Sequence, residues 1–202
     1  MFILISGPSG SGKTPMLYRI LETYPIVSKI QSYTTRRTRK KEVQGTYIYM
    51  TTAQFERKIE ENFFLEYNKV HKDQEYYGMG IDSYLEVIKQ GKVAIKDIDV
   101  DGFKNLKDRK ELDIVGIYIT VKNRQILFDR LRERGETEKT INIRLHDRVD
   151  YENQQQSNYD YVVHTDNFEK AFKQVCKIID TEFKKRGIKC KRNKCKYGEV
   201  MF

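Results

Sequence analysis

Residues 7–14 of the chain read Gly-Pro-Ser-Gly-Ser-Gly-Lys-Thr, which fits the pattern G-x-x-x-x-G-K-[ST]. The apolar run Phe2–Ser6 directly before it predicts a buried strand, and apolar residues at helical spacing predict a helix over Lys13–Thr23. A glycine-rich loop between a strand and a helix turns its backbone N–H groups inward, where they and the helix N-terminus attract phosphate. The loop therefore predicts a nucleoside triphosphate site made by the following residues: Gly7, Ser9, Gly10, Ser11, Gly12, Lys13 and Thr14.

Two residues of this loop have separate predicted tasks. The ammonium group of Lys13 is expected to reach the β- and γ-phosphates and to offset their charge during transfer. The hydroxyl group of Thr14 is expected to ligate Mg²⁺, the cation that accompanies ATP. The loop indicates triphosphate binding, but it does not choose between kinases, GTPases and ATPase motors.

Predicted strands and helices alternate along the rest of the chain. The patterns predict strands over Ile26–Ser32, Tyr47–Met50, Phe63–Tyr67, Val93–Ile95, Ile114–Val121 and Tyr161–His164, and helices over Thr51–Asn62, Asp82–Lys89, Arg124–Arg134, Glu138–Asn153 and Asn167–Lys185. This order favours an α/β fold with an open parallel sheet and helices on both of its faces. Ligands of such sheets bind beyond the carboxyl ends of the strands, so motifs that follow strands are candidates for the site.

Composition places the chain among single-domain globular proteins. Its 202 residues are 39% hydrophobic and 33% charged, which leaves enough apolar side chains for one core. No run approaches the roughly 20 apolar residues that cross a membrane, and the first residues lack the basic region of a secretory signal. The three cysteines are too few and too irregularly spaced for a disulfide framework. We therefore expect a cytoplasmic protein with reduced thiols and no membrane partner.

The net charge of the chain is concentrated at one end. Residues 184–202 hold eight basic residues against one glutamate, a local charge of +7, which leaves +2 of the net +9 for residues 1–183. A basic tail over residues 186–202 suits weak contact with nucleic acid or another anionic surface. The alternative interpretation is a solvated, partly frayed end of the chain.

Further motifs narrow the choice of phosphoryl acceptor. They are T-T-R-x-x-R-x-x-E-x-x-G at residues 34–45, Y-Y-G at residues 76–78, D-I-D-x-x-G at residues 97–102, and Arg134-Gly135. Together with the glycine-rich loop, these motifs resemble those of the guanylate kinase family, and the resemblance extends over about residues 2–183. The following residue roles are those that the resemblance implies.

The resemblance implies an acceptor monophosphate held by Arg36 and Arg39. Two guanidinium groups three residues apart can clamp phosphate oxygens bidentately, which agrees with this role. The resemblance further implies that Tyr47 and Tyr77 donate hydroxyl hydrogen bonds to the same phosphate. Glu42 is then expected to hold the arginines in place.

The resemblance assigns recognition of the base to Glu66, with Ser32 and Asp99 beside it. Guanine presents two adjacent donors, N1–H and its 2-amino group, and one carboxylate can accept from both. Adenine presents an acceptor at N1, which would leave a carboxylate repelled and unpaired. A glutamate at this position therefore favours GMP or dGMP as the acceptor.

The resemblance also implies a set of groups around the transferring phosphoryl. The implied catalytic residues are Lys13, Arg36, Arg134 and Arg144. Asp97 is implied to organise Mg²⁺ through water, while Thr14 ligates the ion directly. In-line phosphoryl transfer depends mainly on such positioning and charge neutralisation.

Two positions depart from the family pattern near the expected base site. Met79 follows the Y-Y-G motif, where the family usually has a serine that bonds the base. Lys96 precedes the D-I-D motif, where an apolar residue is common.

The resemblance implies a P-loop NTPase-type parallel sheet flanked by helices, with an inserted acceptor-binding subdomain and a helical lid. The expected parts of a domain over residues 1–185 are a core (1–32, 91–122 and 157–185), a GMP-binding subdomain (33–90) and a lid (123–156). The expected activity is transfer of the γ-phosphoryl group of ATP, with Mg²⁺, to GMP or dGMP by a monomer or dimer. Two alternatives remain open: a related P-loop kinase of another nucleotide or sugar phosphate, and a non-catalytic kinase-like binding module.

Overall fold

The computed structural model describes residues 1–38, 47–70, 75–147 and 149–193. In chain order the elements are β1 (Phe2–Ser6), α1 (Lys13–Thr23), β2 (Val27–Lys29), β3 (Ser32–Thr34), β4 (Tyr47–Tyr49), α2 (Thr52–Glu60), β5 (Phe64–Val70), β6 (Glu75–Gly80), α3 (Ile81–Lys89), β7 (Val93–Asp97), α4 (Val100–Lys107), β8 (Ile114–Thr120), α5 (Arg124–Glu133), α6 (Glu138–Asp147), α7 (Val149–Gln154), a 3₁₀ turn (Gln155–Asn158), β9 (Tyr161–His164) and α8 (Phe168–Lys185).

Five parallel strands form the central sheet in the order β2–β7–β1–β8–β9. β1 lies in the middle, where Ile3 stands opposite Ile95 on one side and Val115 on the other. Every residue of β1 is buried, as expected of a continuous apolar strand covered on both faces. The predicted open parallel sheet is confirmed, and its carboxyl edge carries the glycine-rich loop.

Alternate residues of β1 supply the cores on the two faces of the sheet. Ile3 and Ile5 belong to a cluster that includes Met16 of α1 and Val175 of α8. Phe2 and its neighbours on the opposite face pack in a second cluster with residues of α3 and α4. Each fully buried side chain of this size contributes roughly 1.5–3 kcal/mol, so both cores hold the sheet edge rigidly.

A second sheet, which the sequence patterns do not predict, has the strand order β4–β3–β6–β5. β3 is parallel to β4, and β6 is antiparallel to both of its neighbours. Phe55 of α2 stacks on Phe64 at 4.3 Å and on Tyr76 at 4.9 Å between ring centroids, which gives this sheet a core of its own. The single strand predicted over Ile26–Ser32 is wrong in extent, because Ser32 already belongs to the second sheet.

The helices after β8 share a third apolar cluster. Gly135, at a φ of +81°, lies between α5 and α6 as predicted. The helix predicted over Glu138–Asn153 is described in two helical stretches, α6 and α7, and residue 148 between them lies outside the described ranges. The buried members of the cluster are Val121, Leu127, Leu131, Ile141, Leu145 and Val149.

The described part of the basic tail lies against the body of the protein. Arg186 pairs with Asp113, with Nη2 at 2.7 Å from Oδ1. Farther along, Arg192 pairs with Asp180, and the backbone N–H of Asn193 donates to the Thr23 carbonyl at 2.9 Å. Residues 186–193 are therefore anchored rather than frayed. Among the helices in the described ranges, none is long and apolar enough to cross a membrane.

Candidate active site

The glycine-rich loop wraps tightly between β1 and α1. Gly7 has a φ of +143°, and a Cβ atom there would overlap the carbonyl oxygen of Ile119 in β8. Gly12, at a φ of +93°, is the left-handed residue from which α1 begins. Both positions therefore need glycine, and the N-terminus of α1 opens directly onto the loop, as phosphate binding requires.

Two side chains from other elements hold the loop in this shape. The Arg130 guanidinium of α5 donates from Nη1 to the Gly10 carbonyl at 3.2 Å and from Nη2 to the Thr165 carbonyl at 2.6 Å. The Thr165 hydroxyl, just beyond β9, donates to the Ser11 carbonyl at 2.6 Å. The loop is thus tied to the carboxyl end of the sheet and to the helices that follow β8.

The predicted cationic groups surround this loop. The Lys13 ammonium donates to the carbonyls of Gly7 and Pro8 at 2.6 and 2.9 Å, so it lies across the mouth of the loop. Arg134, at the end of α5, lines a cavity of about 20 Å³ together with Gly10 and Gly12. A triphosphate on this loop would therefore meet positive charge from two sides.

Asp97, the last residue of β7, stands opposite Ile5 of β1 near the loop and also lines a second cavity, described below. Burial opposes ionisation of this carboxyl group, but the ammonium groups of Lys96, Lys29 and Lys13 outweigh it and hold the pKa of Asp97 below its usual value. An ionised carboxylate here and the exposed hydroxyl of Thr14 are hard oxygen donors, which suit Mg²⁺. The residues present therefore fit the ion that usually accompanies ATP.

A cavity of about 130 Å³ lies between the end of β7 and the second sheet. Its lining includes six residues predicted for the acceptor or the metal: Ser32, Tyr47, Glu66, Tyr77, Asp97 and Asp99. These residues come from separate elements, and the fold brings them to one place. We call this space the acceptor cavity.

Glu66 enters the acceptor cavity from β5. The ladder between β5 and β6 shifts register between Phe64 and Glu66, and such a bulge re-aims a side chain. Burial, together with the nearby Asp99 carboxylate, raises the pKa of Glu66 to about 7, although Lys96 acts against this shift. A Cβ atom on Gly102 would come within 2.8 Å of Glu66 Oε1, so the glycine of the D-I-D-x-x-G motif leaves room for this carboxylate.

Asp99 has a structural task in addition to its place in the cavity. Its Oδ1 accepts from the backbone N–H of Gly102 at 2.7 Å, so it is the N-cap of α4. Its Oδ2 accepts from Asn68 Nδ2 at 3.1 Å. Both oxygens are held, and the negative charge stays fixed close to Glu66.

Tyr47 and Tyr77 line the cavity, and Arg36 lies beside them. The Arg36 side chain is buried and lies over the Tyr47 ring at 5.2 Å from its centroid. The rings of Tyr47 and Tyr77 are 6.0 Å apart, and burial together with Glu75 raises the pKa of Tyr77 to about 12, although Arg36 acts against this shift. Tyr77 therefore stays protonated, and its hydroxyl donates to Glu75 Oε2 at 3.1 Å.

Some predicted residues lie outside the described ranges. Arg39 and Glu42 fall within residues 39–46, and the side chain of Arg144 in α6 is also not described. Ser9 lies in the loop, partly buried.

Sequence reasoning missed two polar residues of the acceptor cavity. Asn68 follows Glu66 by two positions on β5 and therefore shares its face of the strand. Lys96 lies in β7, and its ammonium donates to the Ser32 hydroxyl. Burial lowers the pKa of Lys96, while Asp97 and Glu66 act in the opposite direction. The signal for Lys96 was a cation at the end of an apolar strand, immediately before an acidic motif.

The comparison with protein families covers almost the whole chain. Residues 1–182 match the family model described as Guanylate kinase. The chain belongs to the guanylate kinase family. Among curated guanylate kinases, that of Rickettsia typhi is 33% identical over 184 residues, which cover 90% of this chain and 91% of that protein. That of Syntrophus aciditrophicus is 37% identical over 184 residues, 90% of this chain and 86% of that protein.

A solved guanylate kinase has the same fold. The crystal structure of the enzyme from Anaplasma phagocytophilum superimposes with a TM-score of 0.67 at 22% identity, and the match covers 90% of this chain and 85% of that one. The loop and the acceptor cavity thus belong to a guanylate kinase fold.

Proposed function

We propose that this guanylate kinase family member transfers the γ-phosphoryl group of ATP to GMP or dGMP, giving ADP and GDP or dGDP. One observation carries the proposal. Asp97 lines the cavity that holds Glu66, and it stands opposite Ile5 of β1, two residues before Gly7 of the glycine-rich loop. The two sites therefore meet at the carboxyl edge of the central sheet, as transfer between two bound phosphates requires.

The acceptor cavity suits guanine better than adenine. Glu66 offers two carboxylate oxygens to the adjacent N1–H and 2-amino donors of guanine. Adenine would place its N1 acceptor against the same carboxylate. The buried charge would then be unpaired, which lowers kcat/KM for an adenine nucleotide. Ser32 and Asp99 lie beside Glu66 and complete the polar lining.

The cationic residues have complementary tasks in transfer. Arg36 binds the acceptor phosphate with Tyr47 and Tyr77, and Arg39 is the second guanidinium in this proposal. Lys13 and the loop amides bind the donor phosphates, and Arg134 and Arg144 neutralise the charge that spreads over the transferring group. Thr14 and, through water, Asp97 would hold Mg²⁺, which supplies further charge neutralisation when bound.

The division of the chain follows these tasks. We propose that residues 33–90 form the GMP-binding subdomain and residues 123–156 the lid, around a core of 1–32, 91–122 and 157–185. The lid segment has its own apolar cluster and contacts the loop through Arg130, so it can move as a unit over ATP. Closure would exclude water, which otherwise competes for the phosphoryl group.

We also propose a cytoplasmic location and a monomer or dimer as the working form. The location is supported by the sequence, because its three cysteines are too few and too irregularly spaced for a disulfide framework. Fractionation, with the mass of the native protein by light scattering, tests both points.

A panel of acceptors tests the function. The rate of ADP formation is measured with ATP, Mg²⁺ and each of GMP, dGMP, AMP, UMP and CMP. We expect turnover with the guanine nucleotides and at least about 100-fold lower kcat/KM with the others. Binding of ATP without turnover of any monophosphate would refute the proposal.

A substitution at Glu66 then separates a GMP kinase from a kinase of another phosphorylated compound. Glu66→Gln replaces one acceptor by a donor that faces a donor of guanine, so kcat/KM for GMP should fall about 100-fold or more. Glu60→Gln, an exposed change in the same subdomain, serves as the matched control and should leave the rate unchanged. Full activity of the Glu66 variant would show that the acceptor is not read through a guanine edge.

A further inference from the structure

Lys96 is an unusual residue for its position in the fold. It lies in β7, paired with Leu4 of the central strand, and follows three buried apolar residues, Val93–Ile95. Its side chain is only 12% exposed. A buried ammonium group is costly unless it is paired, and Lys96 lies within ion-pair distance of the Asp97 carboxylate.

The ammonium group of Lys96 faces the acceptor cavity and has donors to spare. It donates to the Ser32 hydroxyl, and Asp97 Oδ1 lies 3.9 Å away, beyond hydrogen-bond distance. Ser32 is its hydrogen-bond partner among the described residues, and an ammonium group carries three N–H donors. Two donors therefore remain for a molecule bound in the cavity.

The polar groups of the cavity are arranged by type. Lys96 and Ser32 provide donors, while Glu66 and Asp99 provide acceptors. Met79, 1% exposed, lies in the same lining and provides neither. Lys96 and Glu66 line the same cavity, so donors and acceptors face one space.

Guanine has the complementary order along one edge. Its O6 accepts, and N1–H and the 2-amino group beside it donate. Adenine has an amino donor at position 6 and would place it against the ammonium group. We propose that Lys96, together with Ser32, donates a hydrogen bond to guanine O6, so that this lysine is a specificity-determining residue of the acceptor site. The proposal rests on the function proposed above and adds the residue that recognises the O6 carbonyl of guanine.

Substrate analogues test this contact atom by atom. 6-Thio-GMP replaces O6 by sulfur, a weak acceptor, and IMP keeps O6 and N1–H but lacks the 2-amino group. With the wild-type chain, kcat/KM for 6-thio-GMP should be at least about 10-fold below that for GMP, as for a lost hydrogen bond to a charged group. Equal use of GMP and 6-thio-GMP by the wild-type chain overturns the proposal without any variant.

Two substitutions of Lys96 complete the test. Lys96→Met should lower kcat/KM about 10- to 100-fold for both GMP and IMP, but less than about 3-fold for 6-thio-GMP. The ratio of kcat/KM for GMP to that for 6-thio-GMP then falls toward 1, while the ratio for GMP to IMP is unchanged. Lys96→Gln, which keeps a neutral donor, should retain part of the first preference. Lys89→Met, an exposed change at the end of α3, is the control and should change neither ratio.

The outcomes separate this proposal from the proposed function. No turnover of GMP by the wild-type chain means that the function itself is wrong. Turnover of GMP by the wild type, combined with an equal loss for GMP and 6-thio-GMP in both Lys96 variants, means that Lys96 acts only as a counter-ion to its carboxylate neighbours. That result overturns the inference and leaves the function standing.

Discussion

Lowering the pH from 8 to 6 is expected to weaken GMP binding through protonation of Glu66. The pKa of this carboxyl group is raised to about 7, first by burial and then by Asp99. Only the ionised form offers two acceptors to the guanine edge, and the protonated form presents a donor to another donor. Binding therefore strengthens as the pH rises through about 7 and levels off above it.

The size of the effect follows from the ionised fraction. With a pKa of about 7, the carboxylate is about 90% ionised at pH 8 and about 10% ionised at pH 6. If the protonated form does not bind guanine, the dissociation constant for GMP rises about tenfold over this range. A glutamate at its usual pKa would remain ionised throughout and would give no change.

Titration calorimetry with GMP at half-unit pH steps measures this dependence. The phosphate of GMP has a second pKa near 6, which also weakens binding at low pH. Glu66→Gln keeps that contribution and removes the other, so the ratio of the two dissociation constants isolates the carboxyl group. A ratio that does not change between pH 6 and pH 8 would refute the assignment of Glu66 as the reader of guanine.

Three substitutions test other parts of the site. Gly7→Ala places a Cβ atom against the Ile119 carbonyl at a residue whose φ is +143°. We therefore expect calorimetry to show loss of ATP binding, and the free energy of unfolding to fall by about 1–3 kcal/mol. An ATP affinity within about twofold of wild type would contradict this. Gly102→Ala brings a Cβ atom within 2.8 Å of Glu66 Oε1 and should displace this carboxylate. The value of kcat/KM for GMP should then fall about tenfold or more, while KM for ATP stays constant. An equal loss for both substrates would argue against displacement of the carboxylate. Arg36→Lys removes the planar fork over Tyr47 and should raise KM for GMP about tenfold or more in steady-state assays, and an unchanged KM would place the acceptor phosphate elsewhere.

The sequence predicted the central sheet well because its middle strands are continuous apolar runs separated by amphipathic helices. Ile114–Val121 and Tyr161–His164 were predicted almost to the residue, and the first strand and helix were exact in their bounds. The glycine-rich loop carries its own conformational requirement, since three of its glycines have positive φ. Local pattern and tertiary context agree in this part of the chain.

The second sheet as a whole could not be predicted from periodicity. The strands predicted over Tyr47–Met50 and Phe63–Tyr67 correspond to β4 and β5, but β3 has only three residues, too few for an alternating pattern to be recognised. β6 contains Gly78 and Gly80, which are typical of loops, yet Phe55 and Phe64 pack so closely on Gly78 that a Cβ atom would come within 2.8 Å of both. Aromatic packing across elements decides the structure there.

The composition of the acceptor cavity depends on side-chain direction, which a single sequence does not contain. The family resemblance assigned Glu66 and Asp99 to the base site. The N-cap hydrogen bond of Asp99 and its contact with Asn68 could be recognised only from the three-dimensional structure. Lys96 was visible only as a departure from the family pattern. Its direction toward Ser32 became known from the placement of β7 beside the second sheet.

The most direct test of the account is a structure of the protein with GMP bound. The guanine should lie in the acceptor cavity, with the Glu66 carboxylate within hydrogen-bond distance of N1 and the 2-amino group. The monophosphate should lie between Arg36 and the hydroxyl groups of Tyr47 and Tyr77, facing the glycine-rich loop. GMP bound away from Glu66, or with its phosphate directed away from Lys13, would contradict the account.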